Sequence, residues 1–482
     1  MKKLSQFLKG LECEILREGA SRADFICIDN RLAKPGCIFV AIKGANSDGH
    51  DYVSSLPDGV SVVVVERALP VYPKGATVIL TSDSREALAL ISANFYGHPA
   101  ADGRLIGVTG TNGKTSTCFF LESILRQTRR KVGLIGTVGI RIDGNLYENA
   151  YGGPSTTPDP QELHKILRHM RNIGCEDIIM EVTSHALALR KLAGMHFDVG
   201  IFTNLSQDHL DFHGSFDNYL KAKLMLFKQS ALSVINADDP ASEDILPVAS
   251  PALLFGCKDK GICAYDIKSD EKGTYFNVNF NQPRQFFMKA KGAFNVYNAL
   301  AAIVAARALG VKTENIIEGI NAFEGAPGRM QFIKNNLNAN IIIDYAHTPD
   351  GLKNAVKSVK EFTKGRVITI FGCGGDRDRG KRPKMAEAAA KFSDSLIITS
   401  DNPRTEDPEF IIKEIITGVP ENFDFNKITD RREAIIFGVN ALKPGDSLII
   451  AGKGHEDYQI IGETKIRFDD AEIAAEAISK RA

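Results

Sequence analysis

Leu105-Ile106-Gly107-Val108-Thr109-Gly110-Thr111-Asn112-Gly113-Lys114-Thr115-Ser116-Thr117-Cys118-Phe119-Phe120 is the stretch whose reading decides the fold. Its first five residues form an apolar β-type run, glycines follow at 107, 110 and 113, and an amphipathic segment, FFLESILRQ, carries on from Phe119. Strand, glycine-rich loop and helix follow one another. Glycines let successive backbone N–H groups face a phosphate, the helix N-terminus adds a partial positive charge and Lys114 adds a full one. Thr115 is placed to hold a magnesium ion. The spacing GxxGxxGKT departs from the common phosphate loop, which needs glycine where Val108 stands. GKT between a strand and a helix still reads as nucleotide binding rather than a plain turn, with Gly110, Thr111, Asn112, Gly113, Lys114, Thr115 and Ser116 around the phosphates.

Outward from this loop, short apolar runs alternate with helical patterns as a doubly wound parallel sheet requires. DIIMEVTSHAL, 177 to 187, ends a strand at Glu181, on the edge where open α/β sheets bind ligands and where a carboxylate can take magnesium. VGIFTNLSQDHLDFHG repeats the design, closing on Asp208, His209, Asp211 and His213. His209 and His213 would share a helical face, but Gly214 and the polar breakers argue against a helix there, so one metal ligand is expected and not four. The first hundred residues (FICID, CIFVAIKG, VSVVVVE, ATVILT, then the helical SREALALISANFYG) predict a small α/β domain ending at Gly97-His98-Pro99. Asp29-Asn30-Arg31 and Asp48-Gly49-His50 read as turn chemistry. Beyond a second linker at GAPG, 325 to 328, four strands each spill into a polar loop. Gly374-Gly375-Asp376-Arg377 on that edge is either a solvated turn or a guanidinium site for carboxylate or phosphate. The expected architecture is α/β in three domains, 1–98, 99–327 and 328–482.

Composition bounds the function. With 482 residues, 44% of them hydrophobic, each domain can bury a core. Lys plus Arg and Asp plus Glu both number 59, so no net field draws nucleic acid or an anionic membrane. Eight cysteines without CxxC pairs suit a reducing compartment. MKKLSQFLKGLECEIL lacks the apolar centre of a signal peptide and no run nears a membrane span, so a cytoplasmic protein, and a monomer, is expected.

TGTNGKTST (109–117), MEVTSHAL (180–187), FTNLSQDHLDFHG (202–214), YLKAKLMLF (219–227), GAFNVYNALAA (292–302), PGRM (327–330), DYAHTPD (344–350), CGGDRDRGKRP (373–383) and DNPRTEDP (401–408) together resemble the Mur ligases. Within that family they are most similar to the branch that adds meso-diaminopimelate to UDP-N-acetylmuramoyl-L-alanyl-D-glutamate. The resemblance implies an N-terminal UDP-binding domain, a central ATPase domain and a C-terminal Rossmann-like domain that takes the amino acid. It implies ATP and Mg2+ as cofactors and an acyl phosphate on the path to the amide. Lys114, Glu181, His209 and Lys223 become the catalytic set: Thr115 and Glu181 hold one magnesium, while His209 and a carbamate on Lys223 hold a second. On its own residues, Lys223 is one lysine among several on an amphipathic helix.

By the same resemblance Asn295, Asn298, Arg329 and His347 serve the nucleotide, with the Asp344 region near the phosphates. Ile28, Asn30, Thr156, Thr157, Ser184 and Lys191 serve the UDP-muramoyl dipeptide. Arg377, Asp401, Asn402, Pro403, Arg404, Gly452 and Glu456 serve diaminopimelate. A bidentate Arg404, joined by Asn402 and Arg377, would reward the second carboxylate that L-lysine lacks; otherwise Arg404 merely pairs with Glu406 or Asp407 in a surface turn. Two positions depart from the family: Asn30 stands where serine is usual in D-S-R, and Leu189 and Lys191 replace a glutamine and an arginine, with Arg190 displaced by one place. A lysine-adding relative and a folylpolyglutamate- or cyanophycin-type ligase are the alternatives.

Overall fold

A computed structural model describes residues 2–44, 47–147, 155–249, 251–258, 260–270, 272–280 and 282–481. Three large sheets follow one another along the chain, with two two-stranded ribbons besides. The first has strand order Glu14–Arg17, Thr77–Leu80, Val62–Val65, Cys37–Val40, Phe25–Cys27, all parallel except the first pair. Val62 to Val65 are buried on both faces, which explains a run of four valines where a half-exposed strand would alternate. Helix Ser84–Tyr96 starts where the Asp83 carboxylate accepts from the Arg85 and Glu86 N–H groups, and it stops at Gly97, whose φ of 71° is left-handed.

The central sheet has eleven strands with Arg104–Thr109 near its middle. From Val132–Gly136 through Asp177–Glu181, Arg104–Thr109, Phe197–Phe202, Ser230–Asn236 and Ala252–Gly256 to Ile262–Ser269 the pairing is parallel. Both flanks are antiparallel: Gly139–Ile142 and Asn145–Leu146 on one side, Thr274–Val278 and Arg284–Met288 on the other. A purely parallel sheet is thus corrected to a mixed one. Residues 279 to 283 are too few for a crossover helix, which needs a dozen or more residues, so TYFNV and RQFFM close as a hairpin. Helix Ala293–Ala308 is buried along most of its length, its alanines admitting helix Lys114–Arg126 alongside, and Phe120 stacks on Phe323 at 3.7 Å between centroids.

The last sheet runs Gln331–Phe332, Asn340–Asp344, Ser447–Ala451, Val367–Phe371, Ser395–Ile398, Phe425–Lys427, parallel but for the first pair. Its four expected strands are its four central ones. The carboxyl ends of this sheet face those of the central sheet, and the loops between them build the site. No helix among the described residues is long and apolar enough to cross a membrane.

Candidate active site between the central and C-terminal sheets

Gly113 caps helix Lys114–Arg126 at φ 85°, with no side chain capping the helix, so its first N–H groups point into the loop unclaimed by a side chain. A Cβ at Gly113 would lie 2.3 Å from Asn298 Oδ1, so only glycine fits where the asparagine meets the loop. The loop is held from one side by residues 203 to 206. Asn204 O accepts from Thr111 N at 2.9 Å, Asn204 Oδ1 from Asn112 N at 2.9 Å, and the Thr203 hydroxyl donates to Asn112 O at 2.6 Å. FTNLS therefore fixes the loop's shape, a role its sequence does not announce.

The Lys114 ammonium donates to the Gly110 and Thr111 carbonyls, both at 2.9 Å, and burial lowers its pKa against the opposing pull of Glu181. Glu181 is buried. Its carboxylate accepts from the Thr115 hydroxyl at 3.0 Å, the Thr137 N–H at 2.9 Å and the Thr137 hydroxyl at 3.0 Å. A buried carboxylate beside a threonine hydroxyl is a hard-oxygen donor set that fits magnesium. Among the described residues no three His, Cys, Asp or Glu side chains gather as a ready-made metal cage. Arg329 reaches in from the C-terminal side, donating to the Thr115 hydroxyl at 3.2 Å and lying 4.5 Å over the Tyr345 ring.

Lys223 is 1% exposed and faces the Tyr219 ring at 4.6 Å. Burial, with Lys114 nearby, pushes its pKa well below the ordinary lysine value. His209 has φ 53° at the start of a single helical turn, Leu210–His213, where an irregular loop was expected. Burial pushes the His209 imidazole down to about 4, His185 and His213 likewise. His213 points elsewhere, with Nε2 3.0 Å from the Ser184 hydroxyl, so the two histidines do not share a ligand. Asp208 joins the two sides: its carboxylate lies 3.2 Å from His209 Nε2 and 3.9 Å from His347 Nε2.

A cavity of about 390 Å³ opens beside the loop, lined by Asn112, Gly113, Ser116, Asn298 and Arg329 and, across the cleft, by Asp344, Asp350 and Asn354. Asp238 and Tyr297, which share a 2.8 Å hydrogen bond, also line it. Asn295 lies on another cavity, next to Lys289 and Phe332. A third cavity, about 310 Å³, joins Asp208, His209 and His347 to Arg377, Asp401, Asn402, Arg404, Gly452 and Glu456. Arg404 donates to Gly375 O at 2.7 Å and pairs with neither Glu406, which holds Arg382, nor Asp407, which caps helix Pro408–Ile416. Asn402 spends its amide internally: Nδ2 donates to Glu456 Oε2 at 3.1 Å, and Oδ1 accepts from Lys453 Nζ at 3.2 Å and Ile460 N at 3.0 Å. Pro403 shapes the turn, its carbonyl accepting from Glu406 N at 3.1 Å.

Thr156, Thr157, Ser184 and Lys191 gather on the other side of Glu181. The Thr157 hydroxyl donates to Glu181 O at 2.9 Å, Thr156 meets Thr137 at 3.2 Å, and Lys191 pairs with Asp159 at 2.8 Å. Ile28 packs on the core of the first sheet, and Asn30 begins a turn whose cap, Asp29, grips Arg31. In Asp48-Gly49-His50 the histidine is locked, Nδ1 at 2.6 Å from Asp48 and Nε2 accepting from Glu66 N at 2.9 Å, which is turn chemistry as expected. Tyr458 and Lys381, which line the third cavity, and Lys453, which supports Asn402 beside it, are the site residues that sequence reasoning missed; only the charge of the GKGHE and GKRP loops hinted at the lysines.

Three family models match the chain: "Mur ligase family, catalytic domain" over residues 22–96, "Mur ligase middle domain" over 108–306 and "Mur ligase, glutamate ligase domain" over 328–454. A Clostridium botulinum protein named UDP-N-acetylmuramoyl-L-alanyl-D-glutamate--2,6-diaminopimelate ligase is 41% identical, covering 99% of both chains. One of the same name from Caldanaerobacter subterraneus is 42% identical, again over 99% of both. A solved structure under that name superposes with a TM-score of 0.69 at 30% identity, covering 100% of this chain and 99% of the other. A Mycobacterium tuberculosis folylpolyglutamate synthase complexed with ADP and AMPPCP shares the fold over 77% of this chain and 92% of its own, with a TM-score of 0.61 at 16% identity. Full-length identity above 40% and family matches on all three sheets agree with the site's geometry: the chain belongs to the Mur ligase family.

Proposed function

We propose that this protein is an ATP-dependent, ADP-forming ligase that joins meso-diaminopimelate to UDP-N-acetylmuramoyl-L-alanyl-D-glutamate in peptidoglycan precursor synthesis. The single observation that carries the reading is the cavity in which Arg377 and Arg404 converge with Glu456, opening onto the phosphate loop's own edge at Asp208 and His209. The γ-phosphoryl group of ATP passes to the substrate carboxylate, releasing ADP and leaving an acyl phosphate. The amine of diaminopimelate attacks the carbonyl carbon, phosphate departs and the new amide remains.

The first step brings anion to anion, so positioning and positive charge supply the catalysis. Lys114, Arg329 and the uncapped start of helix Lys114–Arg126 supply that charge on the central side. Thr115 and Glu181 would hold magnesium, which when bound would supply positive charge against the phosphates. His209, neutral through the physiological range, and Lys223, whose amine burial pushes toward the uncharged form that takes up CO2 as a carbamate, would hold the second ion. Carbamylation turns an amine into an anion, which suits a cation's ligand.

Asn298 and Arg329 border the nucleotide, with His347 closing from the other side. Asn295 sits one helical turn away from Asn298 and supports it, since Asn298 Nδ2 donates to Asn295 Oδ1 at 3.3 Å. Thr156, Thr157, Ser184 and Lys191 take the muramoyl peptide, and Ile28 and Asn30 the uridine end. In the amino-acid cavity Arg377 and Arg404 take the far carboxylate, while Glu456, Asp401 and the Gly452 region take the far amine. We read the enzyme as a cytoplasmic monomer, with each domain bringing one substrate.

Phosphate release from ATP by the purified protein, with each substrate omitted in turn, tests this reading. Release should require both the UDP-linked dipeptide and diaminopimelate. Release that ignores the UDP-linked dipeptide, or that a folate substrate drives instead, would overturn it.

A further inference from the structure

The two loops that carry Arg377 and Arg404 are tied to each other by hydrogen bonds. Gly375 N donates to Asn402 O at 2.9 Å, Arg404 Nη1 to Gly375 O at 2.7 Å, and the Thr405 hydroxyl to Asp376 at 2.7 Å. Asp376 and Arg404 both hold left-handed backbones, at φ 53° and 52°. Such conformations are unfavourable for side-chain-bearing residues and persist only where the surroundings over-determine them. The Arg404 backbone is held in part by the neighbouring hairpin, its N–H donating to Ile460 O at 3.1 Å and its carbonyl accepting from Gly462 N at 2.7 Å; on the side that faces Asp376 something beneath the loops must hold them.

That something is Arg382, at the start of helix Lys381–Ala390, with its side chain 0% exposed. Its guanidinium grips Glu406 with two bonds, Nη1 to Oε2 at 2.9 Å and Nη2 to Oε1 at 2.7 Å, and Nη1 also donates to Glu414 Oε2 at 2.5 Å. Glu406 Oε1 takes the Asp376 N–H at 2.6 Å as well, so one carboxylate links the buried arginine to both loops. Arg379 completes the charge balance on Glu414 at 3.0 Å. Two guanidiniums face two carboxylates.

We propose that Arg382 is a positioning residue for substrate choice: through Glu406 it fixes the spacing of Arg377 and Arg404, and so the preference for an amino acid with a second carboxylate. The inference rests on the diaminopimelate reading above. Arg382 lies too deep to touch substrate, and buried ion pairs add little net stability compared with apolar packing. What the pair fixes is geometry, because a planar fork dictates where both carboxylates sit, whereas an ammonium is a point charge that cannot.

Arg382→Lys keeps the charge and loses the fork. Steady-state kinetics with diaminopimelate and with L-lysine, alongside KM values for ATP and the UDP-linked dipeptide and a thermal melt, test the proposal. Wild type should strongly prefer diaminopimelate. In R382K the KM for diaminopimelate should rise about 10–100-fold, the loss of one charged hydrogen bond to substrate, and the preference should shrink by the same factor. The KM values for ATP and the dipeptide should hold. A variant that loses kcat equally for both amino acids and keeps its preference would show a merely structural arginine and overturn the proposal. If R382K does not melt cooperatively, Glu406→Gln, which keeps the shape and removes the charge, is measured the same way, and an intact preference there overturns it equally. A wild type indifferent between the two amino acids would instead sink the functional reading itself.

Discussion

At the phosphate-loop edge Lys223 is buried and Lys114 half-buried, and neither has an ion pair among the described residues; Lys114 donates to carbonyls and Lys223 faces a tyrosine ring. At the C-terminal edge Arg382, Lys453 and Arg431 are buried too, and each meets a carboxylate: Glu406 and Glu414, Glu456, and Asp470. Burying a charge is costly unless it is paired. The paired cations are scaffold, with their charge consumed inside the fold. On the proposed function, the unpaired ones would meet an anion from outside or, in the case of Lys223, become one. Among the described residues Arg377 and Arg404 donate only to backbone carbonyls, so they belong with the unpaired set.

That contrast breaks most visibly at Arg431, whose fork donates to both Asp470 oxygens at 2.8 and 2.6 Å with neither side chain exposed. Arg431→Met should destabilise the protein by about 3–5 kcal/mol, since it strands a buried carboxylate, while Arg431→Met with Asp470→Leu should recover most of the loss. Chemical denaturation of the three proteins reads this directly. A single variant as stable as wild type would deny that the paired cations are scaffold.

Lys114→Ala should leave the melt unchanged and cut turnover about 10²–10³-fold, because it removes charge aimed at the transferring phosphoryl group. Near-normal phosphate release would reduce the loop to a turn. Lys223→Ala should lose turnover of about the same order or somewhat less. Added short-chain carboxylate should restore part of it, and Lys223→Arg should do no better than alanine. A fully active Lys223→Ala would end the carbamate reading.

The smallest effect concerns His164, buried under helix Ser84–Tyr96 with neither ring nitrogen hydrogen-bonded among the described residues. Burial, and then His98, push it down to about 4 from an ordinary 6.5. The native ring stays neutral while the unfolded chain takes up a proton as pH falls through 6.5. Its stability contribution is therefore complete above pH 6.5 and lost as pH falls toward 4, about 1 kcal/mol of it by pH 5.5. His164→Leu should flatten the melting temperature between those values. A slope unchanged in the variant would place the acid sensitivity elsewhere, for instance at His455, which burial likewise pushes down to about 4.

What the sequence made legible was local. The phosphate loop, Glu181 at its strand end, and the DNPR turn each lie within one strand-to-loop stretch, so spacing alone places them on a carboxyl edge. The antiparallel flanks of the central sheet were not legible, because TYFNV and RQFFM are short, and only the length of the chain between them forbids a crossover. Nor was the Arg382 network, whose partners lie 24 and 32 residues away, so that nothing in GKRP says which acids it will meet. Lys223 is the sharpest case. Its helix reads as ordinary amphipathic chain, and only the fold buries its amine beside Lys114 and Asp208.

The central claim is that an unpaired guanidinium at the C-terminal edge reads the second carboxylate of the incoming amino acid. Wild type and Arg404→Ala, each given equimolar meso-diaminopimelate and L-lysine with ATP and the UDP-linked dipeptide, can be compared by the mass-resolved ratio of the two products. The wild type should yield the diaminopimelate product almost alone, and the variant's ratio should fall by about 10–100-fold, as the loss of a charged hydrogen bond dictates. Equal products from the wild type, or an undiminished ratio in Arg404→Ala, would contradict the account.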